Sequence, residues 1–166
     1  MTGTRTLILL RHAKSDYPDG VADHERPLAK RGIREGALAG DWIRATLPPV
    51  DAVLCSTATR TRQTLARTAI TAPVTYVDRL YDATVGIAIG VINELGGQAD
   101  TLLLIGHEPV MSSLALGLAG PGSSPAAAEE IVVKYPTSAV AVLQTTQPWD
   151  RLELRGAALQ TFHVPR

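Results

Sequence analysis

An apolar run, Thr6-Leu7-Ile8-Leu9-Leu10, passes directly into Arg11-His12-Ala13-Lys14-Ser15. The junction sets a guanidinium beside an imidazole at the end of a segment whose composition predicts a buried strand. A guanidinium presents a planar fork of donors matched to phosphate oxygens, and a neutral imidazole can attack phosphorus. One such pair is a weak signal, because most charged residues are solvated surface. Further junctions strengthen it. Residues 51–55 run into Ser56-Thr57-Ala58-Thr59-Arg60-Thr61-Arg62-Gln63-Thr64, where Ser56 or Thr57 can cap a helix and Arg60 falls in its first turn. The helix dipole disfavours a cation there, a conflict that a bound anion removes. Arg62 competes for that role, but residues two apart project about 200° from each other around a helix. Arg62 and Arg67 therefore read as solvated.

Residues 101–105 run into Gly106-His107-Glu108-Pro109, with Pro109 suited to the first helical turn and His107 at a helix mouth whose free amides attract anions. Residues 74–77 lead to Asp78-Arg79-Leu80-Tyr81-Asp82-Ala83-Thr84. Asp82 is a candidate general acid and equally an ordinary carboxylate near a helix start, with Thr84 as the cap. A carboxyl takes the acid role only when burial or a hydrogen bond raises its pKa.

Positioning four such junctions requires alternating strands and helices. The runs at 51–55, 74–77 and 101–105 have the continuous apolar character of strands covered on both faces. Helical stripes fall between and after them: Ile33, Ala37, Leu38, Trp42 and Ala45; Leu65, Ala66, Ala69 and Ile70; Ile87, Ala88, Val91, Ile92 and Leu95; Val110, Met111, Leu114, Ala115 and Leu118. Right-handed crossovers of this length predict an α/β fold, a three-layer α/β/α sandwich with a mostly parallel central sheet. After Gly120, Pro121-Gly122-Ser123-Ser124-Pro125 reads as a loop, and the tail alternates without a helix. Residues 138–143, 152–154 and 159–164 read as late strands, at least partly antiparallel. Ligands of open α/β sheets bind outside the carboxyl ends of the strands, so Arg11, His12, Arg60 and His107 are expected to meet in one anion-sized pocket.

Composition narrows the function further. A chain of 166 residues is expected to form a single domain spanning 1–166. Lysine plus arginine equals aspartate plus glutamate at 16 each, which gives no field for nucleic acid or an anionic membrane. The lone Cys55 excludes an intramolecular disulfide and suits a reducing compartment. No apolar stretch approaches the roughly 20 residues that span a bilayer, and no signal-peptide pattern opens the chain, so a cytoplasmic location is expected. No His, Cys and acidic residues fall at metal-ligand spacing. His24, in Asp23-His24-Glu25-Arg26, reads as part of a solvated loop, with a place lining the pocket entrance as the alternative, and His163 has no partner suggested by sequence.

Leu10-Arg11-His12-Ala13-Lys14-Ser15, Arg26-Pro27-Leu28-Ala29-Lys30-Arg31-Gly32, the 56–64 segment with Arg60, Ile105-Gly106-His107-Glu108-Pro109 and the late Lys134-Tyr135-Pro136-Thr137-Ser138 together resemble the histidine phosphatase superfamily. The short length and the Arg-His-Ala-Lys opening look most like its SixA-type phosphohistidine phosphatases. The resemblance implies that His12 is the nucleophile that becomes phosphorylated and that Arg11, Arg60 and His107 hold the phosphoryl oxygens, with Ser15 added to the substrate-binding set. It implies no metal and no cofactor. Asp82 falls about where relatives place an acidic proton donor. Many larger relatives carry Gly at the position of Ala13, an acidic residue at that of Lys14, and inserted segments that close over the substrate. The short stretch from 77 to 84 here implies an open, shallow site. A missing acid hurts alkyl phosphate esters most, so the expected substrate is a phosphohistidine protein, with small phosphoesters as the alternative. A phosphate-binding module without turnover is the rival class, and a monomer is favoured. The presence of His12 favours catalysis, because a pure binder needs no nucleophile.

Overall fold

In the computed structural model, which describes residues 3–166, the sheet comprises β1 (Arg5–Arg11), β2 (Ala52–Ser56), β3 (Val74–Val77), β4 (Thr101–Gly106), β5 (Val140–Thr145) and β6 (Ala158–His163). Their order is β3-β2-β4-β1-β5-β6. The first four strands pair in parallel, β5 pairs antiparallel with β1, and β6 pairs antiparallel with β5. Strand side chains alternate between faces, and both faces are covered. Ile8, Leu10, Leu103 and Ile105 pack with Ala39 and Ile43 of α1 (Lys30–Thr46) and Leu65 of α2 (Thr59–Thr68). Leu7, Leu9, Leu102 and Leu104 pack with α3 (Val85–Leu95), α4 (Val110–Leu118) and α5 (Pro125–Val133). The expected three-layer α/β/α arrangement is the observed one.

The neighbours β1 and β4 send their following helices, α1 and α4, to opposite faces. Their carboxyl ends therefore flank a topological switch point, where a crevice opens. The parallel register pairs Leu10 with Ile105 and Arg11 with Gly106, so the residues that follow both strands leave the sheet side by side.

Two expectations about the helices need correction. The buried face of α1 is Gly32, Glu35, Gly36, Ala39, Gly40 and Ile43, whereas Ile33 is 37% exposed. Close packing, rather than an apolar stripe, sets that face. A Cβ on Gly40 would meet the Thr68 carbonyl oxygen at 2.2 Å, and one on Gly32 would meet the Lys14 carbonyl oxygen at 2.0 Å. Correspondingly, α2 turns Thr61, Thr64 and Thr68 inward, and their hydroxyls donate to backbone carbonyls of their own segment. The stripe of α4 is buried as expected.

The tail also differs from the sequence reading, which held it to be without a helix. α5 begins where Ser124 Oγ accepts from the Ala127 amide at 3.1 Å and Pro125 occupies the first turn, so the Ser-Pro pair is a helix start within an apparent loop. Residues 152–154 form no strand. Trp149–Arg151 is a 3-10 turn that buries Trp149, whose indole donates to the Ala99 carbonyl at 2.7 Å. Leu154 is 59% exposed, and Arg155 has φ 62°.

Glycine-to-alanine substitutions in two helices should have opposite signs. Alanine raises helix propensity by about 1 kcal/mol, and an added Cβ at Gly90 of α3 meets nothing within 4 Å. Gly90→Ala should therefore raise the urea midpoint. At Gly40 overpacking of about 1–3 kcal/mol exceeds that gain, so Gly40→Ala should lower it. A rise in both variants would show that the α1–α2 contact yields freely.

Candidate active site

The strand ends supply the chemistry. The His12 amide donates to the Gly106 carbonyl at 3.0 Å, and the Ser138 amide donates to the Arg11 and His12 carbonyls at 3.2 and 3.1 Å. The Ala13 amide donates to Thr64 Oγ1 at 2.9 Å, which ties the segment after β1 to α2, one turn beyond Arg60. These bonds fix the backbone beneath His12 from three directions. Its ring centroid lies 5.3 Å from that of His107.

His12 Nδ1 lies 2.7 Å from the Ala13 carbonyl oxygen. A carbonyl only accepts, so Nδ1 carries the ring hydrogen and Nε2 of the neutral ring keeps its lone pair. Burial is the main cause that pushes His12 down to about 3, helped by His107, Arg11 and Arg60. Burial and Arg60 push His107 down to about 4. Both imidazoles are neutral at pH 7. Arg11 Nη1 donates to the Tyr135 carbonyl at 2.8 Å. Arg60, whose side chain is 7% exposed, donates through Nη1 to the Asp23 carbonyl at 2.7 Å and pairs through Nη2 with Asp23 Oδ2 at 3.2 Å.

Three ring or guanidinium nitrogens of this group, Arg11 Nε, Arg60 Nε and His107 Nδ1, are buried without a hydrogen-bond partner among the described residues. An unpaired buried polar group costs about 1–3 kcal/mol, and all three belong to side chains that act on one another's charge: Arg11 and Arg60 both lower the pKa of His12 and of His107. The cleft of about 490 Å³ lined by Arg5, Thr6, Asp100 and Thr101 lies at the opposite edge of the sheet, where no such group of donors converges.

Other expected contacts resolve differently. Ser56 does not cap α2, whose N-cap is Ala58. Its Oγ instead lies 2.8 Å from His107 Nε2 while accepting from the Ala58 amide at 3.3 Å. Pro109 is the N-cap of α4 rather than a first-turn residue, and the Ser112 amide already donates to Glu108 Oε1 at 2.6 Å. That leaves fewer free amides there than the sequence suggests. Ser15 is buried, and its Oγ accepts from Arg26 Nη1 at 2.7 Å. Asp82 is exposed at φ 57°, and no hydrogen bond joins it to the four converging side chains; Thr84 caps α3 as expected, accepting from the Ile87 amide at 3.2 Å. Arg62 and Arg67 are exposed, as read from sequence.

The rim contains residues that sequence patterns do not mark. The Tyr81 hydroxyl donates to Asp23 Oδ2. That bond, with Arg26 and Arg60, holds the Asp23 carboxyl well below the usual carboxylate range and raises the Tyr81 phenol. The Tyr81 ring stands edge-on to His107 at 5.4 Å and to His24 at 4.9 Å. Asp23 and Tyr81 lie in polar loops without periodicity, so only the three-dimensional approach of the 3-10 turn at Asp23–Glu25 to α2 identifies them.

A family model for the histidine phosphatase superfamily (branch 1) matches residues 7–143. An uncharacterized protein of Mycobacterium tuberculosis strain H37Rv is 59% identical over 158 residues, covering 95% of this chain and 100% of the relative. An uncharacterized protein of Mycobacterium leprae is 48% identical over 161 residues, with coverage of 95% and 100%. A Nakamurella multipartitia structure named as a candidate phosphohistidine phosphatase SixA superposes with a TM-score of 0.89 at 40% identity, covering 98% of this chain and 97% of that one. The protein histidine phosphatase SixA complexed with tungstate shares the fold, with a TM-score of 0.77 at 22% identity and coverage of 96% and 97%. The chain belongs to the histidine phosphatase superfamily and is a phosphatase of its SixA-type branch.

The depressed imidazoles make stability depend on pH. The ordinary histidine value is about 6.5, above both folded-state values, so the unfolded chain binds protons first as pH falls. Each ring then removes up to about 1.4 kcal/mol per pH unit. The urea midpoint should drop between about pH 6.5 and 5, and the drop should shrink when His12 and His107 are both replaced by Asn. The loss from Asp23 begins only below about pH 4. Ring-proton NMR shifts of His12 and His107 should stay flat from about pH 8 to 5; a midpoint near 6.5 for either ring would contradict the burial argument.

Proposed function

We propose that the chain is a metal-independent phosphohistidine phosphatase that works through a covalent phosphohistidine on His12. The carrying observation is the bond from His12 Nδ1 to the Ala13 carbonyl, which leaves Nε2 unprotonated on a ring 5.3 Å from that of His107 and within the field of Arg11 and Arg60. In the first step the Nε2 lone pair forms the N–P bond while the bond from phosphorus to the leaving nitrogen breaks, its electron pair staying on that nitrogen of the protonated substrate ring, which departs as neutral imidazole. Arg11 and Arg60 donate to the equatorial oxygens through Nε. His107 joins them when the Ser56 hydroxyl donates to its Nε2, because the ring hydrogen then sits on Nδ1. Donors preorganised in a dry site are the main source of stabilisation for a transferring phosphoryl group. Water then attacks phosphorus, and the electron pair of the breaking P–N bond returns to His12 Nε2.

A protein-borne phosphohistidine fits for two reasons. Its leaving nitrogen departs more readily than an alkoxide once its ring is protonated, and the 40% identical Nakamurella structure carries the SixA name. Among the described residues no three or more His, Cys, Asp and Glu side chains gather as a metal site.

Incubating the protein with a labelled phosphohistidine substrate and quenching in alkali should trap base-stable, acid-labile label on His12, with turnover persisting in a chelator. His12→Ala should lose both label and turnover. His107→Ala should slow transfer by about 10²–10³ and still accept label. Arg60→Ala should weaken inorganic phosphate binding at least about tenfold, the worth of one charge-assisted hydrogen bond. Wild-type turnover by His12→Ala, or dependence on an added divalent metal, would rule out this mechanism; tight phosphate binding without turnover would indicate a binding module.

A further inference from the structure

Resting on that reading, we infer that His24 is a catalytic residue of the same site, the group that hands a proton to the leaving atom and takes one from the attacking water. His24 Nδ1 lies 3.1 Å from Glu25 Oε2, and Nε2 lies 3.0 Å from Thr57 Oγ1. A carboxylate accepts, so Nδ1 carries hydrogen and Nε2 is the exchanging end, oriented toward the segment that follows β2. Thr57 directly follows Ser56, the partner of His107, and the His24 and His107 rings both pack against Tyr81. The His24 side chain is 36% exposed, so unlike the buried His12 and His107 it is open to an incoming group.

The other groups at the mouth serve this role poorly. Asp23 is an ionised carboxylate held by Tyr81, Arg26 and Arg60 and has no proton to give. The Tyr81 proton is committed to Asp23, and its phenol is shifted upward, away from acidity. Asp82 is exposed and bonded to none of the reacting residues. A histidine backed by a carboxylate is a common proton shuttle, since the carboxylate orients the ring and stabilises the imidazolium.

The steps balance. Protonated His24 donates from Nε2 to the leaving oxygen or nitrogen as that atom receives the electron pair of its broken bond to phosphorus. Neutral His24 then accepts a proton from water as the water oxygen bonds to phosphorus and His12 regains its electron pair. Thr57 Oγ1, 3.0 Å from His24 Nε2, can both accept and donate and so can relay either transfer.

Leaving-group dependence is the test. The full-length protein and its His24→Gln, Glu25→Gln and Thr57→Val variants are assayed on glycerol phosphate, whose alkoxide needs a proton, and on 4-nitrophenyl phosphate, whose leaving group does not. General acid catalysis contributes about 10²–10⁴-fold, so His24→Gln should lower kcat/KM for the alkyl ester at least about tenfold more than for the aryl ester. Glu25→Gln should shift the ratio the same way by a smaller factor. Equal losses on both esters at an unchanged urea midpoint would overturn the role, as would an alkyl rate in the wild type no higher than in His24→Gln. A variant with a lowered midpoint is judged by the same ratio, because unfolding reduces both rates alike. Either failure leaves the proposed function standing provided that aryl turnover and label on His12 persist; their absence in the wild type overturns that reading instead.

Discussion

The parallel pairing of β1 with β4 is the constraint on which the site depends. With Leu10 opposite Ile105 and Arg11 opposite Gly106, the next residue on each strand is a histidine, and the rings emerge 5.3 Å apart. A one-residue slip would exchange the buried faces of a strand, because side chains alternate with a period of two. Ile8 and Leu10 against α1 and α2, and Leu7 and Leu9 against α3, α4 and α5, therefore fix the register that aligns the imidazoles. Core packing far from the pocket and the geometry within it are one requirement.

The same burial sets the electrostatics. Two guanidiniums beside two imidazoles would repel a protonated ring, and desolvation acts in the same direction, so both rings stay neutral. A chain with no net charge thus concentrates positive charge at one strand edge. Asp23 supplies the local counter-charge by bonding the outer fork of Arg60, a contact that also settles the cation in the first turn of α2.

What the sequence makes legible follows from what creates each feature. Continuous apolar strands and the stripe of α4 are burial patterns, and burial is encoded residue by residue. The face of α1 is not legible in this way, because Gly32, Gly36 and Gly40 face inward through backbone proximity rather than hydrophobicity. α5 escapes notice because only Ala127 and Ile131 of its nine residues are buried, too few to give a period. Arg11, His12, Arg60 and His107 stand out because each lies at or shortly after the end of a strand. Asp23, His24 and Tyr81 lie in aperiodic loops and gain their partners only through folding, whereas Asp82, next to Tyr81 in sequence, faces none of them. Ser56 is legible as a polar residue at a helix start, yet its partner is an imidazole 51 positions away.

The two arginines are held in related ways. Arg11 is anchored through Nη1 to the Tyr135 carbonyl, and Arg60 through Nη1 and Nη2 to Asp23, so each guanidinium is gripped at its far nitrogens with Nε left unpartnered. Tyr135 is itself fixed, since its buried hydroxyl donates to the Leu9 carbonyl of β1 at 2.6 Å. Immobilising a long side chain costs about 1.5–2 kcal/mol of rotamer entropy. Here that cost falls on folding, which leaves one unpartnered Nε on each guanidinium. The anchors differ in kind: Tyr135 belongs to the packed core, whereas Asp23 sits on an exposed turn that also bonds Arg26 and Tyr81. Arg11 is therefore set by the body of the fold and Arg60 by the rim, so a change at Asp23 reaches the buried imidazoles through the Arg60 guanidinium and through the Tyr81 ring that packs on His107.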